Sequence, residues 1–383
     1  MPAPFDMRLI QRGARLRRTP YFSATQRHGA QAYTVYNHMF FPINYGDLEA
    51  EYHALLNDVT LWDVSVERNV EITGPDAFRF TNWLTPRDLT KCKVGQGKYV
   101  VISADDGGIV NDPVLMRLGE NHFWLALADS DVLLYARGAA LNAGLDVTIV
   151  EPDVSPLQIQ GPKSKPVMEA LFGDQVRDLP YYHFIETKLD GIPVIVTRTG
   201  WTGEVGYEVY LRDGSQGEAL WERIMDAGRP YGIRPTGPSD IRRVEAGILN
   251  YGIDMTLENN PYEVGLGWLV DDAKPDDYIG KLALKRLKAQ GVKRKLVGVE
   301  IAGEPLDFNM TRWPVHHKGE VAGFVTSALY SPRLARNIGY ANVPAELAEL
   351  GTHLTVTAPE AGERDAVVVA KPFVDPTKEI PKS

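Results

Sequence analysis

Residues 200–210 have the sequence GWTGEVGYEVY, a glycine-rich turn that leads into a strand. Because side chains alternate along a strand, Glu208 and Tyr210 are predicted to share one face, opposite a more apolar face. A carboxylate beside a phenol has two explanations. The face is either exposed to solvent, or it recognises a heterocycle whose adjacent N–H groups pair with both carboxylate oxygens, as a pterin's do.

The composition is typical of a soluble globular protein, with 44% hydrophobic and 24% charged residues. Because single cores stop growing at roughly 250–300 residues, a chain of 383 residues is expected to form two or three domains. No apolar run approaches the ~18 residues of a membrane span, so no membrane association is predicted. The net charge of −9 argues against a nucleic-acid partner, since nucleic-acid binding depends on lysine and arginine that neutralise phosphate.

A single cysteine, Cys92, excludes an internal disulfide and a multi-cysteine metal site, and it is typical of a reducing cytoplasm. An ordinary structural role for Cys92 is favoured over a reactive thiol. The first 20 residues carry five arginines without the apolar core of a secretory signal, and Asp6 favours a solvated basic segment over a mitochondrial presequence. The sequence therefore predicts a cytoplasmic protein.

Hydrophobic periodicity predicts amphipathic helices. One follows Gly46 and has Leu48 on its apolar face. Another spans residues 238–249, PSDIRRVEAGIL, where Ser239 or Asp240 is the candidate N-cap because a short polar side chain accepts hydrogen bonds from the first free backbone N–H groups.

Strand signals are predicted on both sides of a polar segment. One hairpin has its turn at residues 106–108, and a second joins residues 192–200 to residues 206–214. The segment DDAKPDDY, residues 271–278, is predicted to be a linker. Short strands with turn residues between them follow from residue 293, which predicts a small β-rich C-terminal domain.

Three polar residues have two interpretations each. Asp112 in GGIVNDP is either part of a turn or a functional carboxylate. Tyr99 in GKYVV is either an ordinary strand residue or a ring that stacks on a flat ligand. Arg243 lies off the apolar stripe of its helix and faces either solvent or a cleft, where it could hold a ligand carboxylate.

Common catalytic and phosphate-binding motifs do not occur. The chain has no G-x-G-x-x-G that opens a helix, no P-loop, no G-x-S-x-G and no H-E-x-x-H. His316 and His317 are adjacent and would point to opposite faces of a strand, so no metal site is predicted.

Several longer segments together resemble the folate-dependent aminomethyltransferase family, whose best-known member is the glycine cleavage T-protein. TGWTGEVGYEVY is similar to the family signature T-G-[YW]-T-G-E-x-G-[YF]-E, and RVEAGILNYGIDM is similar to R-[LIV]-E-[AS]-G-x-x-x-Y-G-x-D. NPYEVGLGWLV, YIGK, RKLVGVEI and VTSALYSPRLARNIGYA match in the expected order. GGIVNDPV and IVEPDVSPLQIQGPKS, among others, give a closer resemblance to the dimethylsulfoniopropionate demethylases of that family.

The resemblance implies an α+β fold in which three domains form a cloverleaf around a central folate funnel. The first domain would be discontinuous, with residues 1–63 and 150–270. Residues 64–149 would form a second α+β domain, and residues 279–383 a C-terminal β-barrel.

The resemblance also implies the residues of a folate site. Asp112 would be the catalytic residue near N5 of tetrahydrofolate, and Glu208 would bind the pterin ring. Tyr99 and Tyr210 would line the same pocket. Arg243 would meet the folate tail or help shape the cleft.

On the donor side, Trp201 and Tyr36 would bind substrate by facing a cationic methyl donor through cation–π attraction. Residues 202–206, TGEVG, depart from the Ser-Lys-Gln-Gly-Gly of the demethylases and are closer to the T-protein form. Because of this departure, the resemblance does not identify the methyl donor.

Three functions are therefore compared. The first is a tetrahydrofolate-dependent methyltransferase or demethylase that acts on dimethylsulfoniopropionate or a similar small methylated compound. The second is the glycine cleavage aminomethyltransferase, which would need a lipoylated carrier protein as its partner. The third is a folate-binding protein without transferase activity. A homodimer is left open in each case.

Overall fold

A computed structural model describes residues 16–359 and 361–383. Most of the basic segment predicted at the N-terminus therefore lies outside the described residues. The helices are α1 (Phe22–Arg27), α2 (Leu48–Asn57), α3 (Ala77–Leu84), α4 (Val132–Ala140), α5 (Ser164–Phe172), α6 (Gly217–Gly228), α7 (Asp240–Glu245) and α8 (Lys281–Gln290). Within the described ranges, no helix is long and apolar enough to cross a membrane.

Strands occur in two parts of the chain, separated by α7 and α8. The strands before α7 are β1 (Ala32–Tyr36), β2 (Met39–Asn44), β3 (Thr60–Asp63), β4 (Asn69–Thr73), β5 (Gln96–Tyr99), β6 (Ile102–Ser103), β7 (Ile109–Asn111), β8 (Val114–Gly119), β9 (His122–Ala126), β10 (Thr148–Val150), β11 (Ser155–Gln160), β12 (Phe184–Leu189), β13 (Ile192–Thr197), β14 (Gly206–Leu211) and β15 (Arg234–Pro235). Those after α8 are β16 (Arg294–Ile301), β17 (Trp313–His317), β18 (Glu320–Ser331), β19 (Arg336–Pro344), β20 (His353–Ala358) and β21 (Gly362–Val369).

The larger strands form two open sheets and one closed barrel. The first sheet has the order β12-β13-β14-β11-β3-β15, and the second has the order β10-β4-β9-β8-β5. Strands β16 to β21 close into a barrel with the order β16-β19-β18-β17-β20-β21. The predicted α+β class with a C-terminal β-barrel is therefore confirmed.

The two sheets use separate parts of the chain. The second sheet is built from strands between residues 69 and 150, whereas the first takes β3 from before that range and its other strands from after it. This arrangement is compatible with a discontinuous first domain, and the domain boundaries given above stay a prediction.

Strand β14 is central to the first sheet, and each of its residues is buried. Tyr207 and Val209 belong to the hydrophobic core that this sheet forms with α5 and α6. Tyr210 packs instead into a second cluster with Ile195 and Trp124, on the opposite face. The predicted alternation is therefore confirmed, but the face that carries Glu208 is buried rather than exposed to solvent.

The turn before β14 is fixed against α7. Gly203 has φ +67°, and a Cβ built there would lie 2.6 Å from the Cβ of Ala246, so glycine is needed for both conformation and space. Next to it, the Oε1 atom of Glu204 accepts a 2.6 Å hydrogen bond from Nε of Arg242 on α7. The TGEVG segment, which departs from the demethylase pattern, therefore makes structural contacts with α7.

The barrel packs on the other side of α7. The Tyr340 hydroxyl donates to the carbonyl oxygen of Val244 at 2.9 Å, and the Ser331 hydroxyl donates to Oε1 of Glu245 at 2.6 Å. Helix α7 thus lies between the first sheet and the barrel. Ser239 is its N-cap, one of the two predicted candidates, and accepts from the backbone N–H of Arg242 at 3.2 Å.

Two sequence predictions need correction. Leu48, predicted on the apolar face of α2, is 56% exposed because it lies in the first turn of the helix, beyond the core. The linker at residues 271–278 has no helix or strand, as predicted, but it is anchored. Its Lys274 is buried and donates to the carbonyl oxygens of Asn82 and Thr85, so the ammonium satisfies the free C-terminal end of α3.

Candidate active site

The carboxylate of Glu208 is held by donors from three neighbouring strands or their ends. Gln158 on β11 donates to Oε1 at 2.7 Å, and Thr199 after β13 donates to Oε2 at 2.6 Å. The Tyr210 hydroxyl donates to Oε2 at 2.9 Å. Burial raises the pKa of Glu208, and these hydrogen bonds oppose the rise because they stabilise the ionised form. In the described residues Oε1 has one donor, which leaves it a lone pair for a ligand.

A second carboxylate, Glu67, lies beside Glu208. The Gln158 amide nitrogen that donates to Glu208 also lies 3.5 Å from Oε1 of Glu67. Burial raises the pKa of Glu67 well above its ordinary value, and the nearby charge of Glu208 adds to the rise. The carboxylates of Glu67 and Glu208 are therefore both within reach of the same amide nitrogen.

A third carboxylate, Asp112, lies between β7 and β8. The Tyr99 hydroxyl donates to its Oδ2 atom at 2.8 Å, whereas its buried Oδ1 atom has no hydrogen-bond partner among the described residues. Burial raises the pKa of Asp112 to about 7, the hydrogen bond from Tyr99 lowers it, and the charge of Asp254 raises it. A carboxylate with one open oxygen and a pKa near neutrality is suited to act as a general base.

Tyrosine side chains connect these carboxylates. Burial raises the pKa of Tyr182, and the charges of Glu208 and Asp112 both add to that rise. Burial also raises the pKa of Tyr36, and the charges of Asp112 and Glu67 raise it further. Contacts at the junction of the two sheets bring these residues towards one another. Val114, two residues after Asp112, packs against the cluster that contains Tyr210, and Asn37, beside Tyr36, donates to the carbonyl oxygens of Val66 and Ala128.

An aromatic group continues from Tyr36 towards Trp201. The rings of Tyr36 and Phe41 have centroids 5.8 Å apart and meet edge to face. Phe41 and Trp201 both pack against the apolar cluster that contains Trp62. Tyr36, Phe41 and Trp201 are here called the aromatic group, since Phe41 contacts Tyr36 and packs on the same apolar cluster as Trp201.

Arg243 is fully buried and is held by the protein itself. Its Nε donates to Asp240 at 2.6 Å, and its two terminal nitrogens donate to Asp254 at 2.8 Å and Ser327 at 3.0 Å. Burial alone lowers the pKa of Arg243, but the charges of Asp254 and Asp240 raise it overall. Its guanidinium lies 5.7 Å from the Trp201 ring centroid. Within the described residues no hydrogen bond joins Arg243 to the three site carboxylates.

The predicted site residues thus fall into pairs. Tyr99 contacts Asp112, and Tyr210 contacts Glu208. Tyr36 pairs with Phe41, and Phe41 packs on the same apolar cluster as Trp201. Arg243 lies beside Trp201 but bridges α7 and the barrel, a position that favours shaping the cleft over contact with a ligand.

Sequence reasoning missed several of these residues. Gln158 has a local signal, because it and Gln160 are long polar residues two apart in the strand SPLQIQ, and Gln158 lies opposite Glu208 in the register of β11 and β14. Glu67 has no such signal because it lies in a short 3₁₀ turn between β3 and β4. Thr199, Tyr182 and Asp254 lie outside the strands and helices, where periodicity gives no signal.

The described residues contain no group of three or more histidine, cysteine, aspartate or glutamate side chains that could hold a metal ion. Cys92 is buried, and burial raises the pKa of its thiol, which disfavours the reactive thiolate. The side chains described at the site are carboxylates, phenols, aromatic rings and the amide and hydroxyl groups that contact them.

Comparison with known families accounts for most of the chain. The model of the GCVT N-terminal domain matches residues 21–274, and the model of the glycine cleavage T-protein C-terminal barrel domain matches residues 294–375. The boundary between the two matches coincides with the region of α8.

Similar proteins of known name cover nearly the same length. Dimethylsulfoniopropionate demethylase of Ruegeria pomeroyi is 39% identical over 346 residues, which is 90% of this chain and 94% of that protein. The aminomethyltransferase of Shouchella clausii is 33% identical over 371 residues, 95% of this chain and 99% of that protein. Among solved structures, aminomethyltransferase T of the glycine cleavage system from Bartonella henselae has a TM-score of 0.84 at 24% identity and covers 94% of this chain and 98% of that chain, which shows a shared fold.

Proposed function

Because the chain belongs to the aminomethyltransferase family of the glycine cleavage T-protein, we propose that it is a tetrahydrofolate-dependent methyltransferase. It would transfer a methyl group from a small methylated donor to N5 of tetrahydrofolate. The proposed donor is dimethylsulfoniopropionate, and the products are 5-methyl-tetrahydrofolate and methylmercaptopropionate. The observation that carries the proposal is the buried Oδ1 atom of Asp112, which has no partner in the described residues, next to a strand whose Val114 packs against the cluster of Tyr210, the donor to Glu208.

The side chains present fit a reduced pterin. Glu208 offers a lone pair on Oε1 to ring N–H groups, and the Oε1 atom of Gln158 is a further buried acceptor without a partner in the described residues. The hydroxyls of Thr199 and Tyr210 donate to the other carboxylate oxygen of Glu208, Oε2. Either hydroxyl can rotate away, so that a pterin could contact both oxygens. Tyr99 would line the same pocket.

When bound, tetrahydrofolate supplies N5 as the nucleophile that takes the methyl group, while sulfur leaves with the bonding electron pair as a neutral thioether. Because a sulfonium is already a good leaving group, the protein's main tasks are alignment and exclusion of water. Asp112 accepts the proton lost from N5 at its Oδ1 atom, and Tyr99 holds the other oxygen so that Oδ1 keeps one direction.

The aromatic group would receive the donor. Tyr36 pairs with Phe41, Trp201 packs on the same apolar cluster as Phe41, and aromatic faces attract cations. Arg243 would hold α7 and the barrel together behind Trp201, so its contribution is the shape of the cleft.

The two named relatives point to different reactions, and the difference in identity favours the demethylase. The demethylase of Ruegeria pomeroyi is 39% identical to this chain, against 33% for the aminomethyltransferase of Shouchella clausii. The aminomethyltransferase reaction, with a lipoylated carrier protein as partner, is therefore the second candidate.

The direct test incubates the purified protein anaerobically with tetrahydrofolate and dimethylsulfoniopropionate. Mass spectrometry should detect 5-methyl-tetrahydrofolate and methylmercaptopropionate in equal amounts, both absent when Asp112→Asn replaces the wild type. A parallel reaction with an aminomethyl-lipoyl carrier protein should give no methylene-tetrahydrofolate. Product in the second reaction alone would replace the proposal with the aminomethyltransferase, and tetrahydrofolate binding without either product would replace it with a folate-binding role.

A further inference from the structure

The tail of the proposed folate has no assigned cation in the site. Tetrahydrofolate carries a p-aminobenzoyl group and a chain of γ-linked glutamates, and every glutamate brings a negative carboxylate. Arg243, which the family resemblance associates with the tail, has its guanidinium occupied by Asp240, Asp254 and Ser327. If charge binds the tail, another cation must lie on its way out of the site.

Tyr99 borders the site on one side and the protein surface on the other. Its hydroxyl donates to Oδ2 of Asp112 at 2.8 Å, and its ring centroid lies 6.2 Å from that of Trp268. Trp268 is 64% exposed, although tryptophan is a highly buried residue on average. A ligand that extends from Asp112 past Tyr99 therefore meets an exposed aromatic ring.

Trp268 lines an open surface pocket with a volume of about 500 Å³. That volume is within the range of about 300–1,000 Å³ that is typical of small-molecule sites. The charged residues that line the pocket are Arg87, Asp88, Lys91, Lys98, Asp271 and Asp272. The pocket next to Tyr99 therefore has the polar lining that a charged chain needs.

The acidic side chains of the pocket have cations of their own. The ammonium of Lys91 lies 3.0 Å from Oδ2 of Asp271 and 3.6 Å from Oδ2 of Asp88. Lys288 forms an ion pair with Asp272. These three carboxylates are therefore matched without the other two basic residues of the pocket.

Arg87 is one of the two cations that remain. In the part of the chain that the structure describes, it forms no ion pair, and its one side-chain hydrogen bond goes to the carbonyl oxygen of Tyr99. The guanidinium lies over the Trp268 ring, 5.4 Å from the centroid. Burial lowers the pKa of Arg87, and the charge of Asp271 restores only part of it. A half-buried guanidinium in this state is a binding group for an anion.

Lys98 on β5 is the other unmatched cation, and Lys274 nearby shows what a structural lysine has instead. The ammonium of Lys274 donates to the carbonyl oxygens of Asn82, Thr85 and Arg87, which use its three protons. Across residues 16–359 and 361–383, the half-buried Lys98 has neither a hydrogen bond from its ammonium nor an ion pair. Its charge is therefore available to a ligand in the pocket.

We propose that Arg87 and Lys98 bind the carboxylates of the γ-glutamyl tail of folate, and that the pocket beside Trp268 therefore favours folates with several glutamates over those with one. This inference rests on the proposed folate site and extends it to the form of folate that is bound. An arginine and a lysine suit carboxylates that follow one another along a chain, because both donate charge-assisted hydrogen bonds. The exposed Trp268 ring would face the p-aminobenzoyl group.

Three oxidised ligands that differ in the tail test the pocket. Pteroate has no glutamate, pteroylmonoglutamate has one, and pteroyltriglutamate has three. In titration calorimetry at low ionic strength, the wild type should bind pteroyltriglutamate about 10-fold or more tightly than pteroylmonoglutamate, which corresponds to about 1.4 kcal/mol. This ratio should fall when salt is added, because salt screens charges that are open to solvent.

Arg87→Gln and Lys98→Gln should each reduce the ratio to about threefold or less, which corresponds to about 0.7 kcal/mol, and leave the affinity for pteroate within about twofold of the wild type. Arg87→Lys keeps the charge and should retain part of the ratio. Lys93→Gln is the matched control, since it removes the same charge from an exposed lysine just before β5 that does not line the pocket. It should behave as the wild type.

The inference is overturned if the wild type binds the forms with one and three glutamates equally, or if both glutamine variants keep the wild-type ratio. A loss of the ratio in Lys93→Gln as large as that in Lys98→Gln would also contradict it, since the effect would then come from overall charge. An equal loss of affinity for pteroate and pteroyltriglutamate would assign Arg87 and Lys98 to the support of the pterin pocket instead.

The transfer assay separates failure of this inference from failure of the proposed function. A glutamate-dependent affinity in a protein that methylates no folate would remove the transferase and keep the tail pocket. Methyl transfer to tetrahydrofolate, combined with equal affinities for the forms with one and three glutamates, would keep the transferase and remove the tail pocket.

Discussion

Glu208 and Asp112 lie in the same site, but their oxygens are satisfied to different degrees. Glu208 accepts short hydrogen bonds from Gln158, Thr199 and Tyr210. Asp112 accepts one from Tyr99 and keeps a buried oxygen without a partner in the described residues. Burial raises the pKa of both carboxylates, and donors oppose the rise more extensively at Glu208.

The difference separates binding from reaction. A carboxylate that several donors hold in one place is a good anchor for a ligand, because its position costs nothing to fix when the ligand arrives. A carboxylate with an open oxygen and a pKa of about 7 can take up a proton during turnover. If this distinction is right, substitutions at the two positions should affect different quantities.

The largest effect is expected at Asp112. Asp112→Asn should lower kcat by about 10²–10⁴-fold, because an amide cannot accept the N5 proton. The dissociation constant for tetrahydrofolate, measured by titration calorimetry, should change little. Unchanged turnover would remove Asp112 from the mechanism, and a large loss of folate affinity would make it an anchor like Glu208.

Glu208→Ala should act on affinity instead. Loss of a charge-assisted contact is expected to raise the dissociation constant for tetrahydrofolate by about 10- to 100-fold, equivalent to about 1.5–3 kcal/mol. At saturating folate, kcat should recover most of its wild-type value. Equal folate affinities in the variant and the wild type would contradict the assignment of Glu208 to the pterin.

Stability should change in opposite directions at the two positions. Because the folded state raises the pKa of Asp112 from its ordinary value of 3.8 to about 7, the ionised carboxylate opposes folding, and stability falls as pH rises between these values. Asp112→Asn removes that penalty and should raise the free energy of unfolding at pH 8 by up to about 2–4 kcal/mol. Glu208→Ala should lower it by about 1–3 kcal/mol, since buried donors lose their acceptor. Urea unfolding at pH 5 and pH 8 measures both.

The smallest effect is expected at Tyr99. Its hydrogen bond lowers the pKa of Asp112, so Tyr99→Phe should raise that pKa further. The wild-type profile of kcat/KM against pH, which reports the protein before it binds substrate, should rise through about pH 7, where Asp112 ionises. In the variant the midpoint should move upward by about one pH unit or less, equivalent to about 1.4 kcal/mol at most. A midpoint that stays in place would assign the titration to another group.

Much of this site could be predicted from local sequence. Alternation in β14 placed Glu208 and Tyr210 on one face, and the family resemblance predicted Asp112, Tyr99 and Trp201 in or beside the same pocket. The roles of these residues stay predictions, whereas the family itself and its class of one-carbon transferase are confirmed by the matches along the chain. Arg243 shows the limit, because its helix position indicated a cleft but not the three protein acceptors that occupy it.

The sequence by itself determined the β-rich C-terminal region and the pairing of β13 with β14, because these depend on side-chain period and turn residues within short segments. The α+β class and the closed barrel were implied by the resemblance of longer segments to the family. Tertiary structure alone decided the surroundings of the carboxylates. Glu67 joins Glu208 only because β3, β11 and β14 are neighbours in one sheet, and Asp112 meets Tyr99 across a separate pair of strands. Burial and hydrogen-bond partners are properties of the folded chain, and they set the pKa and the charge that each carboxylate presents.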